Sequence, residues 1–526
     1  MTTDSAEDTN GPQIGIFLVA HTNVGKTTLI RTLLGKDVGE IEDASDVTKA
    51  TIAYDLIVDR DAGALRLWDT PGFGDSFRLA RRLRQKHRWV AWGVREFWDR
   101  IFNQKLWLCQ RLVLDLRARA SVILYPVNLQ ERPFEAVYVA PELEVLAWVG
   151  KPVVAILNQS GGQQDRESEI ERIKEWRSHL SNYPVVRRVS HLDAYTRCWV
   201  QELTLFNEIG QVLPQGERDS YMKLATVLGH AYADRFEKSV AAITHYLLRL
   251  ANDKVELEAG WSDGFKDLWG NLRKSIPWGK PNSLSPLELA MQGLAQRYAE
   301  RSKAVTDELI AINRLDGEAT AEIMKIAYTK LVTDKPVDGG SMAVVGGVMS
   351  GLLTGLAADL LAGGLTLGTG MLVGGVLGVT GGAVLAKGYN VYTEKDKKVV
   401  GWSPDSLTEA FEKSLMLYLA VAHFGRGQGQ WRPKEAPKAW RNTVNFALYR
   451  YKEQLQLIRP AVPPNPNTAA AQPDCATLVR QSIMNVLLDL HPEASATLQS
   501  IPTEIGGFLT APDRISTISP AASMGC

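Results

Sequence analysis

The sequence has no excess of charge of either sign and lacks the HExxH motif of zincin hydrolases. Its 526 residues carry 59 basic and 59 acidic side chains, so no overall field favours nucleic acid, and an electrostatic partner would need a local patch. The eight histidines form no HExxH set, which excludes zincin chemistry. Ser160 has no base beside it in the sequence and is a poor candidate nucleophile.

Cysteine is also scarce. The four cysteines are Cys109, Cys198, Cys475 and Cys526, and they form no CxxC pair. This usage is typical of a reducing compartment and predicts neither a disulfide framework nor a structural zinc site. The polar residues 1–11 predict no secretory signal or transit peptide, and Cys526 lacks the trailing residues of a prenylation box. We therefore expect a cytoplasmic protein.

What is present begins with an apolar run that ends in a glycine-containing loop. Residues 14–19 predict a buried strand and residues 28–34 a helix, and the loop 20–27 fits the Walker A spacing except that Ala20 stands at its first glycine. Backbone N–H groups at such a junction form a nest for an anion. Lys26 would reach the β- and γ-phosphates, and the Thr27 hydroxyl would bind Mg²⁺. The predicted phosphate-binding residues of this loop are Asn23, Val24, Gly25, Lys26, Thr27 and Thr28.

A second motif, Asp-Thr-Pro-Gly at residues 69–72, follows the loop. Its aspartate comes 43 residues after Lys26, at the end of a predicted strand. Asp69 would hold Mg²⁺, and Gly72 would offer its N–H to the γ-phosphate, so that this segment orders with triphosphate and relaxes with diphosphate. The two motifs together are much more specific for a nucleotide switch than either alone.

Residues 14–213 alternate short apolar runs with amphipathic stretches, which is typical of a doubly wound α/β domain. The predicted strands are 14–19, 51–58, 64–68, 122–127, 153–157 and 185–189. The predicted helices of its second half are 141–148, 167–180 and 199–209. We therefore predict an α/β P-loop NTPase domain at residues 13–213, with a doubly wound, mostly parallel six-stranded sheet, after a flexible tail at residues 1–12.

An insertion rich in arginine and tryptophan interrupts this domain at residues 74–120. It carries twelve basic side chains against four carboxylates, with Trp89, Trp92, Trp98 and Trp107 interleaved. One interpretation is a basic amphipathic segment that binds anionic lipid or a partner. The other is a helical insertion whose tryptophans pack against the rest of the chain and in which Cys109 is a buried structural cysteine.

The C-terminal region is predicted to be mostly α-helical. Apolar residues recur at helical spacing in the segments 214–338 and 389–460, with candidate helices at 407–424 and 438–458. Residues 461–526 are predicted to hold a linker, one helix at 476–490 and a flexible tail.

Residues 339–388 have a different composition. Between residues 339 and 386 the only charged side chain is Asp359, and glycine recurs at four-residue spacing within two apolar stretches. We predict a glycine-rich hydrophobic helical hairpin. Either it inserts in a membrane, which would place the protein at the inner membrane face, or it lies buried in a helical bundle.

The loop from Asn23 to Thr27 and the motif from Asp69 to Gly72 resemble those of Era/TrmE-type small GTPases. Over its whole length the chain resembles bacterial proteins that join such a GTPase domain to a C-terminal helical domain of unknown function. The resemblance implies GTP and GDP as ligands, Mg²⁺ as cofactor, and catalytic roles for Lys26, Thr48 and Gly72. Thr48 matches the threonine that senses Mg²⁺, and Thr51 is the alternative.

The base-reading motif departs from this family. Asn158-Gln-Ser-Gly161 stands where the family has Asn-Lys-x-Asp, so Asn158 is retained but the aspartate that accepts two hydrogen bonds from guanine is missing. Asp165 comes four residues too late to replace it. Such a loss weakens discrimination against adenine by roughly 1–3 kcal/mol. Asn158 and Ser190 are the predicted base-binding residues, and GTP remains the ligand that the resemblance implies.

Phe73 follows Gly72 at the position where Ras-like proteins have the glutamine that orients the attacking water. The resemblance implies a substitute, a K⁺ ion held partly by Asn23. The alternative for Asn23 is a local hydrogen bond within the loop. Turnover is then expected to be slow until dimerisation or a partner completes the site.

We expect a GTP-hydrolysing switch whose helical half engages a membrane or partner helices through residues 339–388. One alternative is a nucleotide-binding scaffold that oligomerises through its glycine faces and hydrolyses little. A second is an RNA- or ribosome-associated GTPase, which only the basic insertion at residues 74–120 supports.

Overall fold

The computed structural model describes residues 11–21, 24–35, 51–73, 76–84, 104–159, 166–192, 198–257, 286–313, 315, 389–394, 397–423, 438–450, 475–496 and 520–521. The chain divides into two compact units. The first comprises residues 1–234, 423–432 and 493–526, and the second comprises residues 235–422 and 433–492. The division falls inside a long helix rather than after residue 213, and the end of the chain belongs to the first unit.

The first unit is built on a seven-stranded sheet in the order β10-β2-β3-β1-β4-β5-β6. Its strands are β1 (Gln13–Leu18), β2 (Ile52–Asp59), β3 (Gly63–Asp69), β4 (Val122–Asn128), β5 (Val153–Asn158), β6 (Val186–His191) and the two-residue β10 (Pro520–Ala521). Strands β3, β1, β4, β5 and β6 run parallel, whereas β2 is antiparallel to β3 and β10 is antiparallel to β2. All six predicted strands are confirmed, and β10 adds an edge strand from the tail that was predicted to be flexible.

Helices cover both faces of this sheet, as its apolar strands require. They are α1 (Lys26–Leu34), α2 (Ser76–Arg84), α3 (Gln104–Arg119), α4 (Val139–Val149), α5 (Arg166–Leu180), α6 (Trp199–Val212) and the first part of α7 (Gln215–Ala251). Central strand β1 is a continuous apolar run, and Ile14, Ile16 and Leu18 have no exposed surface. The fold class predicted for this half of the chain is therefore confirmed.

The described parts of the basic insertion are helices α2 and α3. Helix α3 packs into the core, where Leu112, Val113 and Leu116 are buried against the sheet and Cys109 is buried beside them. The interpretation as a packed helical insertion is confirmed for this helix. Residues 85–103, which contain three of the four tryptophans, lie outside the described residues.

The second unit is mostly helical, as predicted. It contains the rest of α7, then α8 (Pro286–Ile312), α9 (Pro404–Ala422), α10 (Lys438–Arg450) and α11 (Cys475–Leu490), which a 3-10 turn, Pro492–Ala494, follows. Helix α10 packs against both α9 and α11.

A three-stranded antiparallel sheet in the second unit was not predicted. Its strands are β7 (Lys254–Leu257), β8 (Tyr389–Glu394) and β9 (Lys397–Trp402), in the order β7-β9-β8. No strand was predicted in the segments 214–338 and 389–460, which were predicted to be mostly helical. Strands of four to six residues are too short to show a clear period of two, and β7 is far from its partner in the sequence.

The predicted hairpin at residues 339–388 and the predicted linker at residues 461–474 lie outside the described residues. Within the part of the chain that the structure describes, no helix combines the length and the apolar composition that crossing a bilayer requires.

Candidate nucleotide-binding site

The predicted site residues converge at one edge of the first unit's sheet. Parallel strands bring their carboxyl ends to the same edge, where ligands of doubly wound folds bind. Leu18 at the end of β1 lies beside Asp69 at the end of β3, and Asn158 ends β5 on the other side of β1 and β4. The loops that follow these strands therefore meet, although their motifs are far apart in the sequence.

The phosphate-binding loop leads directly into helix α1. Gly25 is the N-cap residue, with a φ of 80° in the left-handed region that favours glycine, and no side chain caps the helix there. The first intrahelical bond runs from the Leu29 N–H to the Gly25 carbonyl at 2.9 Å. The preceding N–H groups of this first turn point out of the helix toward an anion that would bind there.

Lys26 and Asp69 form a buried ion pair at the centre of the site. The Lys26 Nζ lies 2.5 Å from Asp69 Oδ1, and the two side chains are only 9% and 4% exposed. The pair brings together the predicted phosphate ligand and the predicted Mg²⁺ ligand. Asn23 and Thr48, two further predicted ligands of cations, lie outside the described residues.

The segment from Thr70 to Phe73 is fixed to the beginning of the phosphate-binding loop. The Thr70 hydroxyl donates to the Leu18 carbonyl at 2.5 Å, and the Phe73 N–H donates to the Ala20 carbonyl at 3.1 Å. Gly72 is thereby held beside the loop. Ala20 is fully buried, so the methyl group that departs from the Walker A pattern packs inside the domain.

Asn158 connects the predicted base-binding segment to the phosphate-binding loop. Its side chain is fully buried, and its Nδ2 donates to the Val24 carbonyl at 2.9 Å. A Cβ atom placed on Gly25 would lie 2.8 Å from this Nδ2. Gln159, the next residue, has a φ of 60°. The structure thus gives Asn158 a role in holding the loop, and its contact with a base stays a prediction.

Ser190 lies within strand β6 rather than in the loop after it, and it is 4% exposed. Its hydroxyl is hydrogen-bonded to Glu208 of helix α6. Burial raises the pKa of Glu208, and the hydrogen bond from Ser190 opposes that rise. The predicted base contact of Ser190 also stays a prediction.

Sequence reasoning missed a group of side chains that contact the phosphate-binding loop from the side. His21, the second residue of the loop, contacts Glu142 of α4, which also binds Tyr125 of β4. A signal was available, because Glu142 shares a helical face with Val139, Leu146 and Val149, which are all buried. A carboxylate on an apolar face indicates a buried polar partner.

Two protein-family models match segments of the chain. Residues 15–159 match the family model described as a 50S ribosome-binding GTPase. Residues 337–482 match a domain of unknown function, DUF3482. A comparison with curated proteins finds no relative of this sequence.

Among solved structures, the chain is similar to Aquifex aeolicus Era bound to GDP and aluminium fluoride, with 15% identity over 56% of this chain and 89% of that one, and a TM-score of 0.28. It is also similar to Era in complex with MgGDPNP and a segment of 16S ribosomal RNA, with 14% identity over 56% and 90% of the two chains and a TM-score of 0.29. A third structure, a probable GTP-binding protein EngB, shows 18% identity over 38% and 97% of the two chains, with a TM-score of 0.22.

Proposed function

Because the chain carries a GTPase domain at residues 15–159 and a DUF3482 domain at residues 337–482, we propose that it is a switch that hydrolyses its bound GTP to GDP and phosphate. The observation that supports this best is the buried contact between Lys26 and Asp69 beside the N-terminus of α1. A lysine, a helix N-terminus and a carboxylate at one sheet edge suit the binding of a triphosphate together with a cation.

The oxygen donors at this edge fit Mg²⁺. Thr27 in the first turn of α1 offers a hydroxyl and Asp69 a carboxylate, and hard oxygen ligands are those that Mg²⁺ takes. Thr48 is proposed as the third protein ligand. When bound, Mg²⁺ neutralises charge on the β- and γ-phosphate oxygens. Lys26 would exchange Asp69 for the phosphate oxygens, and Gly72 would donate its N–H to the γ-phosphate.

Phe73 takes no part in orienting the attacking water. Its side chain is 1% exposed and packs in the core of the domain. We propose that a K⁺ ion bound by Asn23 supplies the missing positive charge, and that a homodimer or another partner completes the site. Catalysis by the isolated chain is then slow.

A steady-state assay of phosphate release tests this proposal. We expect the full chain to release phosphate from GTP at about 10⁻⁴ to 10⁻² s⁻¹, faster in KCl than in NaCl, and faster from GTP than from ATP. EDTA should abolish the reaction, and Asn23→Ala should remove the difference between KCl and NaCl. Nucleotide that is bound but not hydrolysed in either salt would support the scaffold alternative instead.

We further propose that the helical half acts at the inner face of a membrane or on partner helices through residues 339–388. The composition of this segment supports the proposal, since glycine recurs at four-residue spacing and each glycine destabilises an isolated helix in water by about 1 kcal/mol. Close packing against lipid-embedded or partner helices offsets that cost.

Flotation with liposomes of phosphatidylethanolamine and phosphatidylglycerol tests the membrane proposal. The full chain should float with the liposomes, and a chain lacking residues 339–388 should stay at the bottom of the gradient. Binding of fluorescent GDP by the shortened chain serves as the control for its folding. If the full chain does not float with either GDP or a GTP analogue, the membrane proposal is wrong and partner helices remain.

The composition of the insertion at residues 74–120 supported the RNA alternative, but the contacts of its arginines weaken that support. Arg117 lies 5.1 Å from the ring centroid of Trp148, and Arg119 lies 5.5 Å from that of Trp68. Arg84 pairs with Glu144. These cations contact groups of their own domain, so fewer of them are available to phosphates of a nucleic acid.

A further inference from the structure

Four side chains form a cluster beside the phosphate-binding loop, which we call the loop clasp: His21, Tyr125, Tyr138 and Glu142. The His21 Nδ1 lies 2.8 Å from Glu142 Oε1, and the Tyr125 hydroxyl donates to Glu142 Oε2 at 2.8 Å. The His21 ring stacks on Tyr138, with centroids 4.1 Å apart and an interplanar angle of 14°. Both carboxylate oxygens of Glu142 therefore have partners. The His21 ring contacts Glu142 through Nδ1 and stacks on Tyr138 with one face.

The buried position of Glu142 is unfavourable for a carboxylate. Its side chain has no exposed surface, and burial raises its pKa against the opposing effect of the hydrogen bonds from His21 and Tyr125. Burying a charged group costs free energy that a well-packed apolar residue would not cost. An apolar residue at this place on α4 could not hold His21.

Hydrogen bonds fix the loop between β4 and α4, which leads to Tyr138 and Glu142 of the clasp. The indole N–H of Trp176 donates to the Glu131 carbonyl at 2.9 Å, and the Tyr138 hydroxyl donates to Glu131 Oε2 at 2.9 Å. Arg172 donates to the Gln130 carbonyl at 2.7 Å. The loop between β4 and α4 thus places Tyr138 and Glu142 at fixed positions relative to the sheet.

The phosphate-binding loop is consequently held from three sides. The Phe73 N–H binds the Ala20 carbonyl, Asn158 binds the Val24 carbonyl, and Glu142 binds the His21 side chain. The first contact acts on the first residue of the loop, the second on its fifth residue and the third on its second residue. A loop fixed in this way loses less conformational freedom when it closes around phosphate.

We propose that Glu142 is a positioning residue for nucleotide binding, which acts through His21 to hold the beginning of the phosphate-binding loop, at Ala20 and His21, in place for phosphate. This inference rests on the proposed function, because it assigns residues that shape that same site. Neither Glu142 nor His21 needs to touch the reacting atoms. The effect falls on nucleotide affinity rather than on the chemical step.

The test uses the full chain with His21→Ala, Glu142→Gln and the double variant. We expect His21→Ala to raise the Kd for fluorescent GDP about tenfold, as the loss of a charge-assisted hydrogen bond would. Glu142→Gln should raise that Kd in the wild-type background and have no further effect in the His21→Ala background. Saturating kcat for GTP should stay within about twofold of wild type in all three variants.

The melting temperature distinguishes the proposed role from a purely structural one, in which stability and GDP affinity would change together. The proposal predicts that they change separately. Because Glu142→Gln removes a buried charge, it should raise the melting temperature in the His21→Ala background without restoring GDP affinity. Tyr125→Phe, which removes the other partner of Glu142, should lower the melting temperature and raise the Kd for GDP by less than His21→Ala does. His179→Gln, at the end of α5, is the matched histidine control and should retain wild-type affinity.

Three results would overturn the inference. The first is wild-type affinity in His21→Ala, and the second is an equal loss of affinity from Glu142→Gln in both backgrounds. The third is a fall in kcat with unchanged Kd, which would place the pair in the chemical step. A wild-type chain that binds no GDP would instead remove the proposed function, and this inference with it.

Discussion

Replacing Lys26 with alanine is expected to lower kcat/KM for GTP by about 10²- to 10³-fold, the usual effect of removing a donor that stabilises developing charge. The Lys26 ammonium is the basic group that the structure places at the N-terminus of α1, and it is 2.5 Å from the predicted Mg²⁺ ligand Asp69. Its loss removes the positive charge that would follow the β- and γ-phosphates into the transition state.

The measurement is single-turnover phosphate release, with the melting temperature recorded for each variant. Asp69 is 3% exposed and loses its partner in Lys26→Ala, so some loss of stability is expected as well. Lys26→Arg keeps that ion pair but not the shape of the ammonium group, and it should also hydrolyse GTP poorly. Lys174→Ala on the exposed side of α5 removes one lysine from the same domain and should behave as wild type. Normal turnover by Lys26→Ala would contradict the assignment of this site.

Replacing Gly25 with alanine should both destabilise the domain and lower kcat/KM for GTP by about 100-fold, since small displacements of positioning groups cost that much. The left-handed conformation, with a φ of 80°, costs an alanine about 1–2 kcal/mol. In addition, the new Cβ would meet Asn158 Nδ2 at 2.8 Å, which displaces the amide that binds the Val24 carbonyl. The substitution thus disturbs the loop and the segment after β5 together.

Gly150→Ala provides the matched control. Gly150 has a φ of 75°, and a Cβ atom there meets nothing within 4 Å. The two variants share the cost of the backbone conformation, so a difference in their free energies of unfolding measures the contact with Asn158. Chemical denaturation without nucleotide gives the stability, and fluorescent GDP gives the affinity. Equal destabilisation of the two variants with retained GDP binding would show that the contact between residue 25 and Asn158 affects neither stability nor GDP binding.

Much of the first unit could be predicted because its central strands are continuous apolar runs. Strands β1, β4 and β5 end within a residue or two of the predicted limits, since both faces of the sheet are covered and every residue of the run is buried. The strands of the second unit were not predictable in the same way. Tyr389–Glu394 and Lys397–Trp402 are short, and their alternation of β-branched and polar residues is weaker than the helical periodicity around them.

The site shows the same contrast between local motifs and distant contacts. The motifs assigned Lys26 and Asp69 to one nucleotide site, and the structure brings the two side chains together because their motifs lie at the carboxyl ends of adjacent parallel strands. No motif marked Glu142, which is 121 residues from His21 in the sequence and reaches it only through the packing of α4. The place of Ser190 inside β6 was missed because one further residue of strand pairing moves its side chain from the loop into the domain.

Phe73 links the folding of this domain to the position of the segment beside its phosphate-binding loop. Its ring is one of the largest fully buried side chains of the chain, and its N–H is bonded to the phosphate-binding loop. A chain that has completed its hydrophobic core therefore already holds the neighbouring Gly72 beside the phosphate-binding loop. Folding of the core thus brings this segment next to the loop, so an anion that binds there would spend less of its binding free energy on ordering it.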